Sequence, residues 1–121
     1  MATSEQKLQE LRARLLEISD LNHINALLSW DQSTYMPPGG AEARGRQSAR
    51  LAQMAQEKFV DKEIGKLLDD LRPYGESLPY ESDDASLIRV TRREYERALK
   101  VPPKFIGELN EHGTWSYQTW T

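Results

Sequence analysis

Cysteine is absent from this chain, so it can hold neither a disulfide framework nor a thiolate metal site. Histidine occurs only twice, at His23 and His112, far apart in sequence. Long apolar runs are missing too. Mean hydropathy is −0.73, and no stretch approaches the roughly 20 apolar residues that span a bilayer. The opening Met1-Ala2-Thr3-Ser4-Glu5-Gln6-Lys7 has no apolar core of the kind a signal peptide needs. A surplus of positive charge is lacking as well: the net charge of −3 and pI near 5.4 argue against a general nucleic-acid binder. Val and Ile are sparse beside Leu and Ala, which favours helix over sheet. These absences leave a polar chain of 121 residues, one domain or part of one, all-α and cytoplasmic by expectation.

Apolar spacing divides the chain into about five helices arranged as antiparallel hairpins. Thr3 with Gln6 three residues on, or Ser4 alone, is a candidate cap for the first helix, and Leu8, Leu11, Leu15 and Ile18 follow at 3, 4, 3 spacing. That stripe drifts through Leu21, Ile24 and Leu28, and the helix is expected to reach about Trp30. A second helix starts near Gly40, with Leu51, Met54 and Ala55 as its apolar face, so a hairpin over 4–58 turns at a corner over 30–42. Asp61 is expected to cap a helix over about 61–72 that Pro73 and Gly75 end. Ser82 or Asp83 opens the next, over 83–101, burying Leu87, Ile88, Tyr95, Ala98 and Leu99. Pro102-Pro103 starts the last, over 103–121, with Ile106, Leu109, Gly113, Tyr117 and Trp120 on one stripe. Trp120-Thr121 stops inside this rhythm with no glycine cap or polar tail, which points to a truncated segment.

The corner carries the most information. Trp30-Asp31-Gln32-Ser33-Thr34-Tyr35-Met36-Pro37-Pro38-Gly39-Gly40 joins aromatic and sulfur side chains to two prolines and two glycines. The prolines fix φ near −65° and push Met36 towards an extended conformation; the glycines then admit a new helix, with Glu42 in its first turn. Asp31 and Thr34 can form a local side-chain-to-backbone cap at the end of the first helix. Two glycines alone fall short of a phosphate-binding loop. The adjacent acids Asp69-Asp70 and Asp83-Asp84 point to different sides of a helix and read as solvated. So do the arginines Arg44, Arg46 and Arg50 and the run Arg89, Arg92, Arg93 and Arg97.

With Ala26-Leu27-Leu28-Ser29 before it and Arg50-Leu51-Ala52 after it, this corner closely resembles the N-terminal region of the carboxypeptidase Taq family. The likeness continues through the run from Phe59 to Leu68, the run from Val90 to Ala98, and Val101-Pro102, reaching Trp120. It departs at Gly113 and Trp115, where the family usually carries small polar or charged residues. The resemblance implies a mostly helical zinc metallocarboxypeptidase that removes C-terminal residues from peptides, of which this chain is the N-terminal part. It also implies a His-Glu-x-x-His helix and a downstream glutamate as the zinc site, two histidines four apart facing one metal. His23 precedes Ile24-Asn25-Ala26-Leu27, and His112 precedes Gly113 and Thr114, so neither begins that motif. The chain is therefore expected to have no catalytic or metal residues of its own and no cofactor, the zinc ligands lying beyond Thr121.

On this reading the segment is a lid or wall of the peptide groove, with Trp30, Asp31, Gln32 and Tyr35 as candidates to face peptide. Thr34, Met36, Pro37, Pro38, Gly39 and Gly40 complete the structural corner. Its partners are the remainder of the peptidase or a second copy, with no nucleic acid and no membrane. The competing reading is a stand-alone helical interaction module without catalysis, whose apolar faces are covered by another protein.

Overall fold

The computed structural model describes residues 2–120, and among these there is no strand. Five α-helices follow one another: α1 (Ser4–Thr34), α2 (Ala41–Phe59), α3 (Lys62–Ser77), α4 (Asp83–Ala98) and α5 (Pro103–Trp120). A 3₁₀ turn at Pro38–Gly40 precedes α2. The expected end of the last helix at Thr121 lies outside the described residues. Among the described residues, no helix is long and apolar enough to cross a membrane.

Local chemistry sets most boundaries. The Thr3 hydroxyl accepts from Gln6 N at 3.1 Å while Thr3 N donates to Gln6 Oε1 at 2.9 Å, a complete capping box. The Asp61 carboxylate caps α3 by accepting from Glu63 N at 2.9 Å, and the Ser82 hydroxyl caps α4 by accepting from Ala85 N. Two ends differ from the expectation. α1 runs to Thr34 rather than to about Trp30, because the Asp31 carbonyl accepts both Tyr35 N and Met36 N at 2.9 Å and closes one more turn. α3 continues through Pro73 to Ser77 rather than ending near residue 72. Here packing overrides the proline: Leu71 is fully buried, Tyr74 packs on the core, and Gly75 lies against Ile88 of α4. α4 stops slightly early, at Ala98, and Leu99, expected on its buried side, lies beyond that end and is exposed.

The helices share two contact zones of different character. The first is dry. Leu8, Leu11 and Ile18 of α1, Ala55 of α2, Ile64, Leu67, Leu68 and Leu71 of α3, and Ile88 of α4 form one buried cluster. α3 and α4 run antiparallel, as the Asp69–Arg92 pair at 2.6 Å and the close approach of Gly65 to Tyr95 fix their register. Ion pairs ring the cluster: Lys7–Asp70 at 3.1 Å, Glu17–Lys58 at 2.6 Å, and Arg12–Asp84. Asp69, Asp70 and Asp84 are thus tied between helices rather than simply solvated, and Arg92, expected on a solvated face, has a side chain only 19% exposed.

The second zone is a seam of small and polar residues. The buried face of α2 consists of Gly45, Ser48, Ala52 and Ala55; of the expected Leu51, Met54 and Ala55 only Ala55 is fully buried, and Met54 is exposed. Gly107 and Thr114 meet it from α5. The Asn25 side-chain amide donates to Asn110 Oδ1 at 3.3 Å and its oxygen accepts from the Ser48 hydroxyl, so α1, α2 and α5 meet at one polar knot. Gln56 Nε2 donates to the carbonyls of Ala98 and Val101 at 3.0 and 2.9 Å, satisfying the chain where α4 gives way to α5. No buried side-chain polar atom is left unpaired among the described residues.

Candidate functional site

The corner is built from α1 outward. Ser29, Ser33 and Thr34 each donate a hydroxyl to the carbonyl four residues back, at 3.2, 3.1 and 2.8 Å. These bonds satisfy the three hydroxyls within the last turns of α1 itself. Pro37, at φ −59° and ψ 150°, turns the chain out of line with α1, and Gly40 N then donates to the Pro37 carbonyl to close the 3₁₀ turn. Gly40 has a steric reason: a Cβ there would lie 3.0 Å from Met36 Cγ, which packs back over the turn. Gly39 has open space around it.

Asp31 does not form the expected local cap with its carboxylate. Oδ2 pairs instead with Arg44 Nη1 at 2.7 Å, across the corner, and the same guanidinium donates to the Leu28 carbonyl at 2.8 Å. Arg44, expected on a solvated face, has a side chain only 16% exposed and clamps α1 to α2. Arg44→Met is expected to cost about 1–2 kcal/mol, the range for a charge-assisted hydrogen bond partly screened by solvent. A urea midpoint measured in a double-mutant cycle with Asp31→Asn checks it: a coupling near zero would remove the clamp from the fold's stabilising contacts.

Gln32 is likewise engaged. Its side-chain amide donates to the Thr114 carbonyl at 3.2 Å and ties α1 to α5. Trp30 and Tyr35 remain the outward pair, 57% and 75% exposed, with ring centroids 5.5 Å apart edge to face. Of the four residues expected to face peptide, the structure brings these two together and places the other two in interhelical ties. Between α1 and α5 runs a groove of about 340 Å³ whose walls carry Ser29, Gln32, Ser33, Asn110 and Tyr117. Sequence reading missed the α5 side of this groove and Arg44. The signal for Arg44 was an acid and an arginine flanking a tight turn between two helices.

The residues present do not fit a metal ion. His23 is exposed on α1, and His112 is exposed on α5 with its ring 5.5 Å from that of Trp115. No group of three His, Cys, Asp or Glu able to hold a metal occurs among the described residues. The corner is a scaffold with an aromatic outer face and a polar groove beside it.

Comparison with known proteins agrees with this wording and order of residues. The chain is 36% identical to thermostable carboxypeptidase 1 of Thermus thermophilus over 109 residues, covering 88% of this chain and 21% of that protein. It is 24% identical to thermostable carboxypeptidase 1 of Pyrococcus furiosus over 113 residues, covering 93% of this chain and 22% of that protein. The chain thus spans about a fifth of the length of the curated relatives it matches. No solved structure matches it significantly. The family model of the carboxypeptidase Taq (M32) metallopeptidases matches residues 10–121, and the chain belongs to that family.

Proposed function

We propose that this chain is the N-terminal lid or groove-wall segment of a zinc-dependent metallocarboxypeptidase that removes C-terminal residues from peptides in the cytosol. The observation that carries the reading is the outer surface of α1 and α5. Leu16, Leu27 and Trp30 on α1 and Phe105, Leu109 and Trp120 on α5 are all more than half exposed. Phe105, Leu109, Tyr117 and Trp120 share one face of α5 by their spacing. A small chain gains nothing from leaving so much apolar surface in water, whereas a segment of a protein some five times longer has the rest of that protein to cover it.

The division of labour follows from the residue types. A metallocarboxypeptidase uses its metal to activate water at the scissile carbonyl. Here the chain contributes shape: a clamped corner, an aromatic pair and a polar groove at the margin of the peptide site. The chain alone is inactive on this reading. The test is the intact mass of the native product in its source cells, detected with an antibody to this segment. A product several times heavier than 13.9 kDa is expected; a native product of 13.9 kDa would overturn the reading in favour of a stand-alone interaction module.

A further inference from the structure

A cleft of about 400 Å³ opens between α3 and α4, on side chains that neither the corner nor the α1–α5 groove uses. Its size suits a small ligand. Gly75, Ala85 and Ile88 form an apolar floor, with Leu78 on one wall. Gly75 lets α4 lie close, because a Cβ there would stand 3.3 Å from Ile88 Cδ1. A turn holds the mouth. Ser82 N and the Ser82 hydroxyl both donate to the Pro79 carbonyl, at 2.9 and 2.7 Å, which fixes the loop that carries Tyr80. The Arg89 guanidinium lies 3.9 Å from the centroid of the Tyr80 ring, and Nη2 donates to the Ser86 hydroxyl at 3.3 Å. Tyr80 is nonetheless 73% exposed, so the stack stands in solvent at the rim of the cleft. A planar guanidinium layered on an aromatic ring offers a surface on which a further flat ring stacks.

The charges decide what kind of ring. Arg92 is already paired with Asp69 at 2.6 Å, and the other arginines of the lining, Arg72 and Arg89, share it with Glu76. The carboxylate repels anions and the guanidinium groups repel cations, whereas an uncharged ligand meets neither repulsion. Glu76 forms no ion pair among the described residues, so its oxygens are open to an N–H donor. A flat, uncharged ring with an N–H on its edge is the chemistry of a lactam nucleobase.

We propose that the α3–α4 cleft binds an uncharged heteroaromatic ring with a lactam edge, of the kind found in guanine, hypoxanthine and uracil. The ring stacks on the Arg89–Tyr80 pair and its N–H donates to Glu76. The inference stands on the cleft alone and does not depend on the peptidase reading. It is tested by titrating the isotopically labelled 121-residue chain with inosine and with its N1-methyl derivative, which lacks the lactam N–H, following backbone amides by NMR. Inosine is expected to shift amides around Gly75, Tyr80 and Ile88 saturably, and the methylated nucleoside to bind about tenfold more weakly, having lost a hydrogen bond to a charged acceptor. Glu76→Ala, at an exposed position, is expected to abolish that difference. Arg89→Leu, also at an exposed position, is expected to weaken both nucleosides alike by about fivefold, while Arg46→Gln on α2 changes neither. A linear response to inosine, equal binding of the two nucleosides to the unaltered chain, a preference that survives Glu76→Ala, or indifference to Arg89→Leu would overturn the proposal. If a single-stranded oligonucleotide containing inosine binds more tightly than inosine, the source is a nucleic-acid strand; if it binds more weakly, the source is a free nucleoside.

Discussion

Leu68→Ala is expected to lower the folding free energy by about 3 kcal/mol, within the 2–5 kcal/mol range for truncating a fully buried leucine. Leu68 is 0% exposed at the centre of the cluster that joins α1, α3 and α4. Removing three carbons there forfeits the transfer free energy of the side chain. It also leaves a void that neighbours cannot close, because Leu11, Ile64 and Leu71 are equally buried and already packed. A domain of this size has a total stability of only about 5–15 kcal/mol, so the variant should unfold at a markedly lower urea concentration with a similar slope. Leu109→Ala, at a site 53% exposed, provides the contrast and should cost well under about 1 kcal/mol. If the two variants behaved alike, the dry cluster would not be the centre of stability.

Gly107→Leu should act differently, by undocking one helix. A Cβ at residue 107 would lie 3.0 Å from Gln53 Oε1 and 3.3 Å from the Ala49 carbonyl oxygen. The glutamine end can swing away, but the backbone carbonyl cannot, and the rest of a leucine side chain has nowhere to go but between α2 and α5. Overpacking of this kind costs about 1–3 kcal/mol. The seam offers little apolar burial to hold α5 against it, so amide exchange should speed up along α5 while the amides of α3 keep their protection. Gly107→Ala separates the two effects: its gain in helix propensity of about 1 kcal/mol opposes the crowding, and the net change should be small. Unaltered exchange in α5 of the leucine variant would mean that the seam tolerates separation.

The contrast between these sites shows what the sequence made legible. Caps were readable because their chemistry is local: Thr3 with Gln6, Asp61, and Ser82 each satisfy backbone donors within three residues. The α1 stripe of Leu8, Leu11 and Ile18 was readable because it packs into one buried cluster with the leucines of α3. The family was readable from the corner, whose order of residues is long and specific.

Periodicity failed where it had to decide which face points inward. Ile106, Leu109, Gly113, Tyr117 and Trp120 share a rhythm, yet the buried residues of α5 are Gly107 and Thr114. A seam of glycine, alanine, serine and asparagine has no hydrophobic signature, so its closeness is invisible until the helices are placed. Pro73 misled for the opposite reason, since its strong local preference yielded to the burial of Leu71 and Tyr74 on either side of it. At the corner, the outward pair Trp30 and Tyr35 could be named as candidates from residue type. The role of Gln32 depended on a partner 82 residues away, which no local pattern encodes, while Asp31 pairs with Arg44 only 13 residues on, across the turn that the two flank.

The positions of the indole rings have an optical consequence. All three tryptophans, Trp30, Trp115 and Trp120, lie near the α1 corner or on α5, and none belongs to the leucine cluster. Intrinsic fluorescence of the chain should therefore emit like solvated indole even when it is fully folded. It should respond little as the leucine cluster melts. Burial of those rings against another surface would instead move the emission to shorter wavelength, so the chain's own chromophores report assembly and are nearly blind to folding.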